Sequence, residues 1–292
     1  MKALECKKIE IGEGYFNLSL LPIDNEEYIG TLRKINRDFV IINQYPELED
    51  HLYFCRLDKD FNLISLNLIN DITNRTKHTN YTTGISDVRI FEPNYLSGTT
   101  LDTNGNWVSD ISLIRLDNNF ENIISLIPCR INNLNCGKNW LFIKRNNDKL
   151  LFLYKTSPLI LIEIDPNTGL TEIVKNTNIP ELENLILHNG SLIKLEDGKY
   201  LINVRKMNIC NRRNFRLYED TMFLLFDENF NYIKTSKPFK FKETDNKTWT
   251  TDDCYEIVFS MFVKNNILYC VVTESEKNLY IYKYDLKDIF EN

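Results

Sequence analysis

Short apolar runs separated by polar turns set the pattern of this chain. Across residues 137–169 three such runs, Trp140 to Ile143, Leu150 to Tyr154 and Leu159 to Ile164, are split by an Asn/Asp turn and a Ser-Pro break. They close on Asp165-Pro166-Asn167-Thr168-Gly169. Runs of this length between turn-forming residues predict an antiparallel meander. The closing turn recurs at Asp58-Lys59-Asp60-Phe61, Asp117-Asn118-Asn119-Phe120, Asp227-Glu228-Asn229-Phe230 and Asp285-Leu286-Lys287-Asp288, each after a strand-like run. An Asp starts such a turn by accepting hydrogen bonds from the backbone just ahead of it. Copies roughly 50 to 60 residues apart imply equivalent units, and a sheet that must bury both faces does so by stacking against its neighbours.

The pattern therefore predicts an all-β fold: a five-bladed β-propeller with antiparallel four-stranded blades around a central channel. The first unit runs from Tyr15 to Leu21 through Tyr28 to Arg33 and His51 to Leu57. The second takes Gly84 to Phe91, Tyr95 to Thr100 and Trp107 to Leu116; the third is the stretch above. The fourth holds Ser191 to Leu195, Tyr200 to Val204 and Thr221 to Phe226, and the fifth Glu256 to Val263, Ile267 to Val272 and Leu279 to Tyr284. Helical periodicity is weak throughout; only Ile179 to Ile186 predicts a short turn.

No Pro/Gly/Ser-rich linker or charge block divides the 292 residues, so residues 1–292 are expected to form a single propeller domain. A hydrophobic fraction of 43% is ample for a large core and argues against disorder. The formal net charge of -6 disfavours nucleic acid or an anionic membrane as the main partner, leaving only a local basic site open. The N-terminal segment lacks the apolar core of a secretion signal, and no run approaches the ~20 apolar residues that cross a bilayer. A soluble, cytoplasmic protein without membrane insertion is expected. The seven cysteines are scattered and form no C-x-x-C pair, so neither a disulfide framework nor a metal site is expected.

The innermost strand of each blade lines the channel, so polar residues placed there are the site candidates. They are Asn17 and Ser19, Asp87 and Arg89, Lys138 and Asn139, His188 and Asn189, and Asp253 and Glu256, with Arg33, Tyr154 and Arg205 added from second strands. Carboxylates, cations and amides on an apolar frame suit a polyhydroxylated ligand carrying phosphate. Each has a plainer reading. Asp87 and Arg89 could form an inter-blade ion pair, Trp107, Trp140 and Phe142 could be core, and Arg212, Arg213 and Arg216 a solvated loop. No G-x-S-x-G or H-E-x-x-H motif supports serine or zinc hydrolysis.

Taken in order, several segments carry a family resemblance. They are N-x-S with a following strand ending in Arg (Asn17, Ser19, Arg33), G-x-x-D-x-R (Gly84, Asp87, Arg89), and K-N-W followed by L-x-x-x-Y-x-x-x-P (Lys138, Asn139, Trp140, Leu150, Tyr154, Pro158). Ser236-Lys237-Pro238-Phe239 and the segment from Tyr255 to Ser260 extend the match along the chain. Together they resemble the five-bladed β-mannoside phosphorylases and related β-1,2-mannosyltransferases of the glycoside hydrolase family 130-like group. The resemblance implies a glycosyltransferase or glycoside phosphorylase acting on β-mannoside-type linkages. Its partners would be a mono- or oligosaccharide and a sugar phosphate or nucleotide sugar, with no cofactor and no metal. It implies Asp87 as general acid, Arg33, Arg89, Lys138 and Arg205 as phosphate or donor ligands, and Asn17, Asn139, Tyr154 and Glu256 as sugar ligands. The family pattern has Glu before and Pro after the acid, where this chain has Ser86 and Val88, and often His at the position of Arg205. A non-catalytic propeller that binds a glycan or a protein through the same channel is the alternative.

Overall fold

A computed structural model describes the chain apart from residues 24–25, 37–40, 43–44, 47, 79–81, 101, 105–108, 132–137, 211–214, 242–255, 275–276 and 292. Strand β1 (Glu5–Lys8) comes first. Blade one follows with β2 (Tyr15–Pro22) and β3 (Tyr28–Asn36), a two-residue pair β4 (Ile41–Ile42) and β5 (Tyr45–Pro46), then β6 (Leu48–Leu57) and β7 (Leu63–Leu68). After β8 (Asn70–Asp71), blade two is β9 (Thr82–Glu92), β10 (Tyr95–Thr100), β11 (Asp110–Leu116) and β12 (Asn122–Cys129). Blade three is β13 (Leu141–Asn146), β14 (Lys149–Thr156), β15 (Leu159–Ile164) and β16 (Thr171–Thr177). Blade four is β17 (Leu187–Lys194), β18 (Tyr200–Cys210), β19 (Phe215–Phe226) and β20 (Tyr232–Thr235). Blade five has β21 (Glu256–Lys264), β22 (Ile267–Glu274) and β23 (Asn278–Asp285), and its fourth strand is β1, paired from Glu5↔Lys283 to Lys8↔Tyr280.

The five-bladed propeller is thus closed by its first strand. The core has the same cyclic form, because each blade buries both faces against its neighbours. Leu153, Ile202 and Phe226 fill the seam between blades three and four, and Leu201, Phe223 and Val272 the next. Leu18, Leu57 and Ile281 join blade five to blade one, Phe54, Val88 and Leu96 join one to two, and Leu113, Trp140 and Phe152 join two to three. Full burial of each such side chain contributes about 1.5–3 kcal/mol. Middle strands such as β15 are therefore almost wholly buried, whereas the outermost β16 is largely exposed.

Blades one and two are also hydrogen-bonded to each other. Leu48 to Asp50 of β6 pair in parallel with Thr82 to Gly84 of β9, joining the two blades in one nine-stranded sheet.

Each recurring Asp turn leads out of the third strand of its blade. Asp58, Asp165, Asp227 and Asp285 all accept the amide two residues on, at 2.8–3.0 Å, and Asp117 accepts the Glu121 amide at 2.9 Å. In the three D-x-x-F copies the Phe is left-handed, with φ of 61° at Phe61, 60° at Phe120 and 58° at Phe230. That conformation costs a bulky residue about 1–2 kcal/mol. Stacking offsets it: the rings lie 4.6, 4.3 and 4.4 Å from Tyr28, Phe54 and Tyr200.

The same turns make stability depend on pH. Amide donors from Asn62, Asn122 and Asn231 hold the exposed carboxyls of Asp58, Asp117 and Asp227 below the ordinary carboxylate range. A lowered folded pKa adds stability that is complete above the unfolded value of about 3.9 and is lost as pH falls through the folded values. The urea midpoint is expected to drop below about pH 4. In the D58N/D117N/D227N variant the drop should be shallower, and equal acid sensitivity in both proteins would remove the turns from the explanation.

Candidate active site

The inner strands do not run smoothly past the axis. Register shifts occur between Phe16 and Ser19 of β2, opposite Asp87 and Val88 of β9, between Asn189 and Ser191 of β17, and between Val258 and Ser260 of β21. Asn17 and Asp87 take left-handed φ values of 56° and 52° inside these bulges, and Asn139 takes 61° just ahead of β13. Bulges re-aim side chains, and strained non-glycine residues concentrate at functional sites.

The re-aimed side chains meet. Asn17 Nδ2 donates to Asp87 Oδ1 at 3.0 Å, while Arg33 Nη1 lies 3.7 Å from Asp87 Oδ1 and Lys138 Nζ 3.9 Å from Asp87 Oδ2. Arg89 Nη2 donates to Asn139 Oδ1 at 3.2 Å, which turns the Asn139 amide nitrogen toward His188 Nε2 at 2.9 Å. Arg205 Nη2 is 3.4 Å from His188 Nδ1, and its Nη1 donates to the Glu256 carbonyl at 3.0 Å. All five blades contribute to this network. It puts Arg33, Lys138 and Arg89 near one partly exposed carboxylate in a protein whose formal net charge is -6.

Arg89 and Arg205 are the two buried cations of this group, 7% and 3% exposed. Burial pulls the pKa of Arg89 down to about 10; nearby Asp87 opposes the fall and Arg205 adds to it. Its Nη1 donates to the Phe259 carbonyl, and its guanidinium lies 4.7 Å above the Phe259 ring. Arg89 is therefore a buried member of the axial network rather than an exposed partner of Asp87. It also lines a separate cavity of about 610 Å³, whose walls include Leu21, Phe142, Leu192 and Met261. Asp87, Arg33 and Lys138 are not among its lining residues.

The residues with an expected role fall into three groups. Asn17, Arg33, Asp87, Arg89, Lys138, Asn139 and Arg205 converge through side chains, and Glu256 joins by its carbonyl while its carboxylate accepts the Phe241 amide at 3.0 Å. Tyr154 packs edge-on against buried Trp140 at 5.7 Å, and its carbonyl accepts Asn189 Nδ2 at 3.2 Å. Asp253, Trp107, Arg212 and Arg213, and the side chain of Arg216, lie outside the described residues. Two participants lie outside the roles that the resemblance implies. His188 bridges Asn139 and Arg205, and Asp50 accepts Arg33 Nε at 2.8 Å. An inner-strand position pointed to His188, but nothing local pointed to Asp50. Among the described cysteines, Cys55, Cys129 and Cys270 are buried and Cys6 is exposed. No helix among the described residues is long and apolar enough to cross a membrane.

No family model matches the chain, and no curated protein matches it by sequence. Its fold is nevertheless similar to those of solved mannoside phosphorylases and related enzymes, which are five-bladed propellers. A β-1,2-mannobiose phosphorylase from Listeria innocua superposes with a TM-score of 0.58 over 99% of this chain and 94% of its own, at 13% identity. MPT-1, a GDP-Man-dependent mannosyltransferase from Leishmania mexicana, gives 0.65 over 99% and 92%, at 11% identity. MPT-4, a mannose phosphorylase from the same organism solved with a phosphate ion, gives 0.62 over 97% and 89%, also at 11%. At such identities the likeness is one of fold.

Proposed function

We propose that this chain is a carbohydrate-active enzyme that makes or breaks β-mannoside-type linkages, using a sugar phosphate or a nucleotide sugar as donor or product. The observation that supports this most is the approach of Arg33 and Lys138 to Asp87, in one network with the buried Arg89 and Arg205. A carboxylic acid beside the site of a glycosidic oxygen protonates the leaving group, and cations beyond it stabilise the phosphate oxygens.

In phosphorolysis a phosphate oxygen bonds to the anomeric carbon as the bond from that carbon to the glycosidic oxygen breaks. Asp87 passes its proton to the departing oxygen and regains one from the phosphate. The incoming oxyanion is its own nucleophile, so one protein acid suffices; a retaining hydrolase needs a second carboxylate facing the same bond. Arg33, Arg89, Lys138 and Arg205 bind the phosphate or donor in this reading. Asn17, Asn139, Tyr154 and Glu256 bind sugar hydroxyls, and holding both reactants in line supplies much of the rate.

The buried thiols of Cys55, Cys129 and Cys270 suit a reducing, cytoplasmic compartment. The cyclic core and the closure by β1 favour one folding unit across residues 1–292, which would unfold in a single transition.

Product analysis tests the reading: incubation with mannose 1-phosphate or GDP-mannose and short mannoside acceptors is expected to yield elongated products. Saturable glycan binding without product from either donor would instead favour a binding propeller.

A further inference from the structure

The proposed chemistry gives no role to a buried carboxylate that holds one of its cations, Asp50. The side chain of Asp50 is only 1% exposed, yet it lies in β6, the third strand of blade one, away from the inner strands that carry the site. It reaches the site through Arg33. Asp50 Oδ1 accepts Arg33 Nε at 2.8 Å, and the same guanidinium brings Nη1 to 3.7 Å from Asp87 Oδ1. The Phe16 ring, 5.1 Å away, supports the guanidinium by a cation–π contact.

The backbone holds this arrangement in place. Asp50 pairs with Gly84 across the parallel junction of β6 and β9, three residues before Asp87, and with Ile35 of β3, two residues after Arg33. The anchor, the arginine and the acid therefore sit on three adjacent, directly hydrogen-bonded strands. Only a guanidinium can join them this way, since it offers donors on two edges of one rigid plane, whereas an ammonium offers one flexible point.

We propose that Asp50 is a positioning residue for the anion-binding half of the site: it grips Arg33 by Nε and so fixes its terminal nitrogens beside Asp87, where the phosphate of the substrate would lie. This inference rests on the phosphate-handling reading above. Asp50 itself touches no substrate and acts only through Arg33.

The test is a double-variant cycle read by titration calorimetry with mannose 1-phosphate and, separately, inorganic phosphate. Wild type, D50N, R33K and D50N/R33K are compared after each is shown to unfold in one cooperative transition. D50N and R33K should each weaken binding by about tenfold or more, and the double variant should bind no worse than R33K. In turnover, D50N should raise KM for the anion more than it lowers kcat, which a loss of stability alone would not do.

Unchanged affinity in D50N, or losses that multiply in the double variant, would overturn the proposal while leaving the anion site standing. Failure of the wild type to bind either probe would overturn the anion site itself and this role with it. Should D50N not fold, R33K still decides, because wild-type affinity in a variant that keeps the charge but not the two-edged plane would also overturn it.

Discussion

Asp87→Asn should lower kcat by about a hundredfold to ten-thousandfold while leaving phosphate binding intact or tighter. Asn has nearly the same shape and still offers an oxygen to Asn17 Nδ2, which now lies 3.0 Å from Asp87 Oδ1. It has no proton of the right acidity to give a departing glycosidic oxygen, so the chemical step loses its acid. It also removes the negative charge that Arg33 and Lys138 now face at 3.7 and 3.9 Å, so their attraction for an incoming anion is no longer offset. Steady-state kinetics give the first quantity and calorimetry the second. A kcat within a few-fold of wild type would sink Asp87 as the acid, whereas a matched loss of binding and turnover would point to misfolding of β9.

The second large effect is expected at Gly84, where Gly84→Ala should destabilise the fold by about 3 kcal/mol or more. Its φ of +92° is one that L side chains rarely adopt, and an added Cβ would lie 2.4 Å from the Asp50 carbonyl oxygen. The amide there is also committed, donating to Asp102 Oδ2 at 3.3 Å, while fully buried Asp102 holds Arg75 through two bonds of 2.9 and 3.0 Å. Backbone on one side and a buried ion pair on the other leave nothing soft to yield. Gly198→Ala is the control, since Gly198 shares a positive φ of +85° but has no atom within 4 Å of the added carbon. It should cost about 1–2 kcal/mol. Equal urea midpoints for the two variants would show that conformational strain, not the close approach of β6 and β9, governs Gly84.

Features with local causes were legible in the sequence. Each Asp turn declares itself within five residues, because donor and acceptor are neighbours along the chain. Inner and middle strands showed as apolar runs because they are buried on both faces; the outermost strands β1, β7, β16 and β20 are largely exposed and carry no such signature. The role of β1 was invisible for a second reason, since the strand it pairs with, β23, lies at the other end of the chain. The site divides the same way. Asp87, Arg89, Lys138 and Asn139 lie at or beside inner strands with distinctive neighbours, so position and resemblance both picked them out. Asp50 sits in Glu47-Leu48-Glu49-Asp50, which reads as an ordinary charged surface segment. Only the fold brings it behind Arg33.

The strand that closes the ring also sets the order in which the protein can be made. Glu5 emerges from the ribosome long before Lys283, the residue 278 positions later whose ammonium it meets at 2.7 Å. Blades one to four can pair as they appear, but blade five cannot be completed until β23 arrives, so β1 must wait unpaired through most of synthesis. Closing so long a loop is slow. Until β23 arrives, β1 is an unpaired strand that other chains can meet.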